Sequence, residues 1–110
     1  MENFSLIPAG LTTLICRLAE LPYVDRIILF GSRARGDAQS RSDIDLAVSA
    51  PGATSQQWVQ LVDLVQEPPT LLSIDLIWYE EAGEELKTKI RREGKVLYDR
   101  SESGAESRES

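Results

Sequence analysis

Four consecutive apolar residues, Ile27-Ile28-Leu29-Phe30, stop abruptly at Gly31. A run this short and continuous leaves no polar side for water. It therefore reads as a β-strand buried on both faces, which needs structure packed over each side of its sheet. The rest of the chain supplies that structure. Leu11, Leu14, Ile15, Leu18 and Leu21 recur at helical spacing between Pro8 and Pro22, predicting an amphipathic helix over roughly residues 8 to 21. Asp43 to Ser49 alternate carboxylate with aliphatic, as a half-buried strand does, and Pro51-Gly52 closes that element. Thr54 or Ser55 caps a helix with Trp58, Leu61, Val62 and Val65 on one face, ended by Pro68-Pro69. Leu71 to Tyr79 reads as another strand. Glu84 to Glu93 reads as a charged helix with Leu86 and Ile90 inward and Gly94 as its C-terminal cap, and Val96 to Tyr98 adds a short final strand. Helices alternating with strands imply an α/β or α+β fold, a sheet with helices packed on it.

At 110 residues, with 42% hydrophobic and 27% charged, the chain fits one domain. That domain is expected over residues 1–100, with the polar, acidic stretch 101–110 as a disordered tail. Twelve Lys and Arg against eighteen Asp and Glu give a net charge of -6, which argues against long DNA or RNA as the main partner. The single cysteine, Cys16, excludes an internal disulfide framework; its apolar helical setting predicts a buried thiol and fits a reducing cytoplasm. No apolar run approaches the roughly 20 residues needed to span a bilayer, and Met1-Glu2-Asn3 lacks the basic start of a signal peptide. The expectation is a soluble cytoplasmic protein with no membrane partner. Histidine is absent, so His-based general-base chemistry and His-ligated zinc are excluded, and a metal would be held by oxygen ligands.

Three features carry chemistry. Alternation along a strand projects Asp43 and Asp45 from one face while Ile44, Leu46 and Val48 point into the core from the other. At about 6.6 Å apart and an effective dielectric near 20, the two carboxylates repel by roughly 2–3 kcal/mol, which a divalent cation would remove. Hard oxygen donors without imidazole or thiolate favour Mg²⁺, which completes its shell with water and substrate phosphates. Asp75 interrupts the apolar segment Ile74-Asp75-Leu76-Ile77-Trp78 and joins the pair if its strand neighbours theirs, as a further metal ligand or as a proton acceptor. Gly31-Ser32-Arg33-Ala34-Arg35-Gly36 directly follows the buried strand. There glycine permits close backbone approach, Ser32 offers a hydroxyl, and Arg33 and Arg35 add charge suited to phosphate. Each feature alone has a plainer reading: a strand-ending turn, a solvated strand face, a wet basic loop. Trp58 and Trp78 read as core, and Lys87, Lys89, Arg91, Arg92 and Lys95 as the solvated face of the last helix.

Gly31-Ser32, ten intervening residues and Asp43-x-Asp45 reproduce the nucleotidyltransferase signature G-S-x(10)-D-x-D, with Asp75 at the place of the third carboxylate. Over roughly residues 8 to 100 the chain resembles the minimal nucleotidyltransferases, small antitoxin-type members of the DNA polymerase β-like superfamily, and Ile90 to Tyr98 also looks typical of them. The resemblance implies a nucleotidyltransferase fold, a mixed sheet flanked by helices. Gly31 and Ser32 would hold the triphosphate of ATP, Asp43 and Asp45 would bind Mg²⁺, and Asp75 would complete the site. It also implies a partner, a HEPN-domain ribonuclease toxin that some members neutralise by adding AMP to a tyrosine, in a hetero-oligomer of toxin and antitoxin. Size agrees, because little chain remains to enclose a second substrate once a nucleotide site is built. The alternatives are an antitoxin that neutralises its partner by binding alone, and nucleotidyl transfer to a small molecule.

Overall fold

In the computed structural model, which describes residues 9–31, 44–66 and 74–100, the apolar run is the core of strand β1 (Arg26–Phe30). It follows helix α1 (Ala9–Ala19). Then come β2 (Ile44–Ser49), α2 (Ser55–Gln66), β3 (Ile74–Trp78), a single 3₁₀ turn (Tyr79–Glu81), α3 (Glu84–Glu93) and β4 (Lys95–Asp99). The sheet order is β3-β2-β1-β4. β1 runs antiparallel to both β2 and β4, whereas β2 and β3 are parallel, so the sheet is mixed as expected.

Both faces of the sheet are covered, and this decides where the carboxylates can emerge. On one face Ile27 and Leu29 of β1 and Ile44, Leu46 and Val48 of β2 pack with Leu11, Leu14, Ile15 and Leu18 of α1 and Leu61 and Val65 of α2. On the other, Ile28, Phe30 and Ala47 meet Ile90 of α3, with Ile77, Tyr79 and Leu86 alongside. β2 is therefore not the half-buried strand that its alternation suggests: from Leu46 to Ser49 both faces are closed, and only Asp45 retains partial exposure. On its second face Ala47 meets Ile90 of α3, and Ser49 is closed over by Glu80 of the 3₁₀ turn.

Local chemistry explains the element ends. Thr54 caps α2 through a reciprocal pair in which Gln57 N donates to Thr54 Oγ1 at 3.1 Å and Thr54 N donates to Gln57 Oε1 at 2.9 Å. Leu64 packs against the core beside Trp58, Leu61 and Val65, the place the sequence reading gave to Val62. Trp58 and Trp78 stack with centroids 5.0 Å apart, so both serve the packing of α2 on β3. α1 ends at Ala19, and Leu21 reaches the core from the turn beyond it. Cys16 is exposed, contrary to expectation. One residue beyond buried Ile15, it is rotated by about 100° and leaves the apolar stripe. Gly94 does end α3, with its N–H donating to Ile90 O at 2.7 Å, but at φ -69° and ψ 145° it is extended rather than left-handed. Glycine is needed there for space: a Cβ would meet Ile90 O and lie 2.5 Å from Ile28 Cγ2. The expected tail, residues 101–110, lies outside the described residues.

Candidate active site

The pairing register assembles what the sequence left separate. Asp45 is opposite Phe30 across the antiparallel β1–β2 ladder and opposite Asp75 across the parallel β2–β3 ladder. Residues in register on adjacent strands project from the same face, with backbones about 4.8 Å apart. The two carboxylates are thus nearer neighbours than Asp43 and Asp45 would be along one strand. They share the α3 face, past the end of the Ile28, Phe30, Ala47 and Ile90 cluster. Asp45 is half-buried and Asp75, on an edge strand, is exposed.

Gly31 closes the inner side. It is buried with φ at +81°, in the left-handed region that glycine occupies at little cost. A Cβ there would collide with Asp45 Oδ2 and stand 3.1 Å from Asp45 Cγ, so the backbone lies directly against the carboxylate. β1 must therefore end here, and glycine is required by both conformation and contact. The donors brought together are carboxylate oxygens, a set suited to a hard divalent cation. Among the described residues Asp45 and Asp75 form a pair, and no group of three potential ligands is found. Asp43, Ser32, Arg33 and Arg35 lie outside the described residues.

A feature not legible in the sequence fixes this register from the opposite end of the sheet. Glu80, in the turn after β3, accepts from Ser49 Oγ at 2.6 Å and from Ala50 N at 2.8 Å, while Trp78 Nε1 donates to Ala50 O at 3.2 Å. These bonds tie the end of β3 to the end of β2. Because side chains alternate, slippage by one residue would turn Asp75 to the opposite face from Asp45. Glu80 shows no local motif, since its partners are about thirty positions away and only the parallel pairing brings them close. Elsewhere, a depression on the outer side of α3 is lined by Glu84, Glu85, Thr88, Lys89 and Arg92 and includes neither aspartate.

The profile of the family described as Polymerase beta, Nucleotidyltransferase matches residues 13–103. This chain belongs to that family. A solved toxin–antitoxin structure with AMP-PNP is similar at 27% identity and a TM-score of 0.63, covering 79% of this chain and 72% of that one. A mutant form of the toxin–antitoxin MntA-HpeT is similar at 26% identity and a TM-score of 0.62, covering 80% and 72%. The complex of a tri-AMPylated Shewanella oneidensis HEPN toxin with MNT antitoxin, at 22% identity and a TM-score of 0.51 over 81% and 66%, shares the fold. Comparison with curated proteins gives no match. The mixed-sheet nucleotidyltransferase fold and the likeness to minimal nucleotidyltransferases are both as the signature implied.

Proposed function

We propose that this nucleotidyltransferase-family chain transfers AMP from ATP to a hydroxyl of a partner protein, a tyrosine of a HEPN-domain toxin, and acts as its antitoxin. The observation that carries the reading is the register pairing of Asp45 with Asp75 beside the backbone of Gly31. The similar structure with AMP-PNP supports a nucleotide substrate, and the similar toxin–antitoxin structures support a toxin partner. Asp45 and Asp75, with Asp43 from the signature, are the residues that would hold Mg²⁺, which when bound supplies charge neutralisation for the phosphates.

The chain's own groups do the rest. Gly31 offers backbone free of a side chain where the phosphates approach, and Ser32, Arg33 and Arg35 follow it in sequence as hydroxyl and cationic partners for them. Asp75 stands exposed on the edge strand, on the side from which a macromolecular acceptor can enter, and takes the phenolic proton. The phenolic oxygen then bonds to the α-phosphorus as the bond from that phosphorus to the bridging oxygen breaks, and pyrophosphate leaves with the electron pair. AMP on a toxin tyrosine adds bulk and negative charge against an RNA path.

Intact-mass spectrometry of the HEPN partner tests this after incubation with the chain, ATP and Mg²⁺, beside the Asp45→Asn variant. The expected result is a mass increase by whole AMP units and loss of ribonuclease activity with the wild type alone. Silencing without a mass increase, equal for both proteins, would replace transfer with neutralisation by binding.

A further inference from the structure

The basic residues of α3 do not form one solvated face. Lys89 and Arg92 line the outer depression, whereas Lys87 and Arg91 turn to the sheet and converge on Tyr79. Lys87 Nζ lies 5.6 Å from the centroid of the Tyr79 ring, and Arg91 Nη1 donates to the Tyr79 hydroxyl at 2.9 Å. Arg91 Nη2 donates further to Thr88 Oγ1 at 3.3 Å. The Tyr79 ring itself packs on the Ile28, Phe30, Ala47 and Ile90 cluster, which fixes the platform under both cations. Two like charges four residues apart on a helix repel, and among the described residues no carboxylate pairs with either. In a chain of net charge -6 the convergence of two cations on one tyrosine makes a local positive site among the described residues.

Its position gives it a use. Ile77 and Tyr79 pack on one cluster on the face that Asp75 shares, so Tyr79, on which the cationic pair converges, follows Asp75 past the end of the edge strand, its backbone about 13 Å away by strand rise. This is the side on which Asp75 is exposed, whereas Gly31 lies against Asp45, on the inner side. We infer that Lys87 and Arg91, held by Tyr79, form a docking site for an acidic segment of the acceptor protein, carrying Asp or Glu roughly that distance from the hydroxyl to be modified. This inference rests on the transfer reading above and specifies the chemistry of the partner surface. Such charges at a rim act on encounter and registration more than on the chemical step.

Binding and transfer are measured separately on the full chain. Fluorescence anisotropy, without ATP, follows a labelled peptide bearing one tyrosine and a cluster of Asp and Glu, a peptide with Ser and Gly in place of the acids, and a single-stranded RNA. The wild type should prefer the acidic peptide, and Lys87→Gln with Arg91→Gln should weaken it about fivefold while leaving the neutral peptide unchanged. Lys87→Glu with Arg91→Glu should transfer the preference to a Lys-rich peptide, and Tyr79→Phe should give a smaller loss. Melting temperatures verify that each variant is folded. AMP transfer to the same peptides, followed by mass, should show the loss in KM with kcat retained. Acidic-peptide preference without any transfer refutes the transfer reading but leaves the docking site standing. Equal binding of acidic and neutral peptides, or tighter binding of RNA through the same two residues, overturns the docking site itself.

Discussion

Asp75 and Gly31 are the two positions at which function and fold separate most cleanly. Asp75 is exposed on an edge strand, so Asp75→Asn should alter stability by less than about 0.5 kcal/mol. Removing its proton-accepting oxygen should lower kcat by roughly 10²–10⁴. Thermal melting and steady-state transfer rates on the same sample check both numbers; an early-melting variant that retains its turnover would make Asp75 a support for the sheet. Gly31→Ala predicts the converse mixture, because an L side chain at φ +81° is strained by about 1–3 kcal/mol and its Cβ displaces the Asp45 carboxylate. Both melting temperature and ATP affinity should fall, and a variant with wild-type melting would contradict the contact. The glycine was legible as a strand terminator, since a buried apolar run ended there. Its steric role was not, because Asp45 is fourteen positions on and meets it only through the β1–β2 ladder.

Elements were legible wherever periodicity was strong. The stripe of α1, the apolar run of β1, the inward Leu86 and Ile90 of α3 and the short β4 all follow from spacing alone. What spacing lacks is strand order. Alternation puts Asp45 on one side of β2 and Asp75 on one side of β3, but only parallel adjacency with matched register makes them a pair. The second cover over β2 was missed for a related reason: nothing local announces that α3 returns across Ala47 or that Glu80 of the following turn closes over Ser49. Two substitutions probe the elements without touching the carboxylates. Thr54→Ala removes one half of the cap on α2 and should cost about 1 kcal/mol by urea denaturation with transfer activity unchanged. Glu80→Gln weakens the tie between the ends of β2 and β3, and should reduce activity by letting Asp75 lose register with Asp45. Hydrogen exchange at the β3 amides reports that loosening, and unchanged exchange with reduced activity would point to a different cause.

At the scale of the whole molecule, Arg100 joins segments more than seventy positions apart. Its Nε donates to Val24 O at 3.1 Å and its Nη2 to Leu21 O at 2.9 Å, with Asp25 Oδ1 3.7 Å away, so the end of β4 is fastened to the turn between α1 and β1. Arg100→Ala should cost about 1–3 kcal/mol, seen as a lower denaturation midpoint, because two backbone carbonyls lose charged partners. No helix among the described residues is long and apolar enough to cross a membrane. The described residues thus form a four-stranded sheet covered on both faces, with two aspartates paired toward one end and one of them on the outer strand β3. On the proposed reading the acceptor is presented from outside, and the most direct measurement follows the phosphorus. The chain is incubated with the proposed HEPN partner and ATP labelled at either the α- or the γ-phosphate, and label on the partner is counted for the wild type and for Asp75→Asn. The account predicts that α-label enters the partner, γ-label does not, and Asp75→Asn transfers little of either. Entry of γ-label, or a partner silenced with neither label attached, would contradict it.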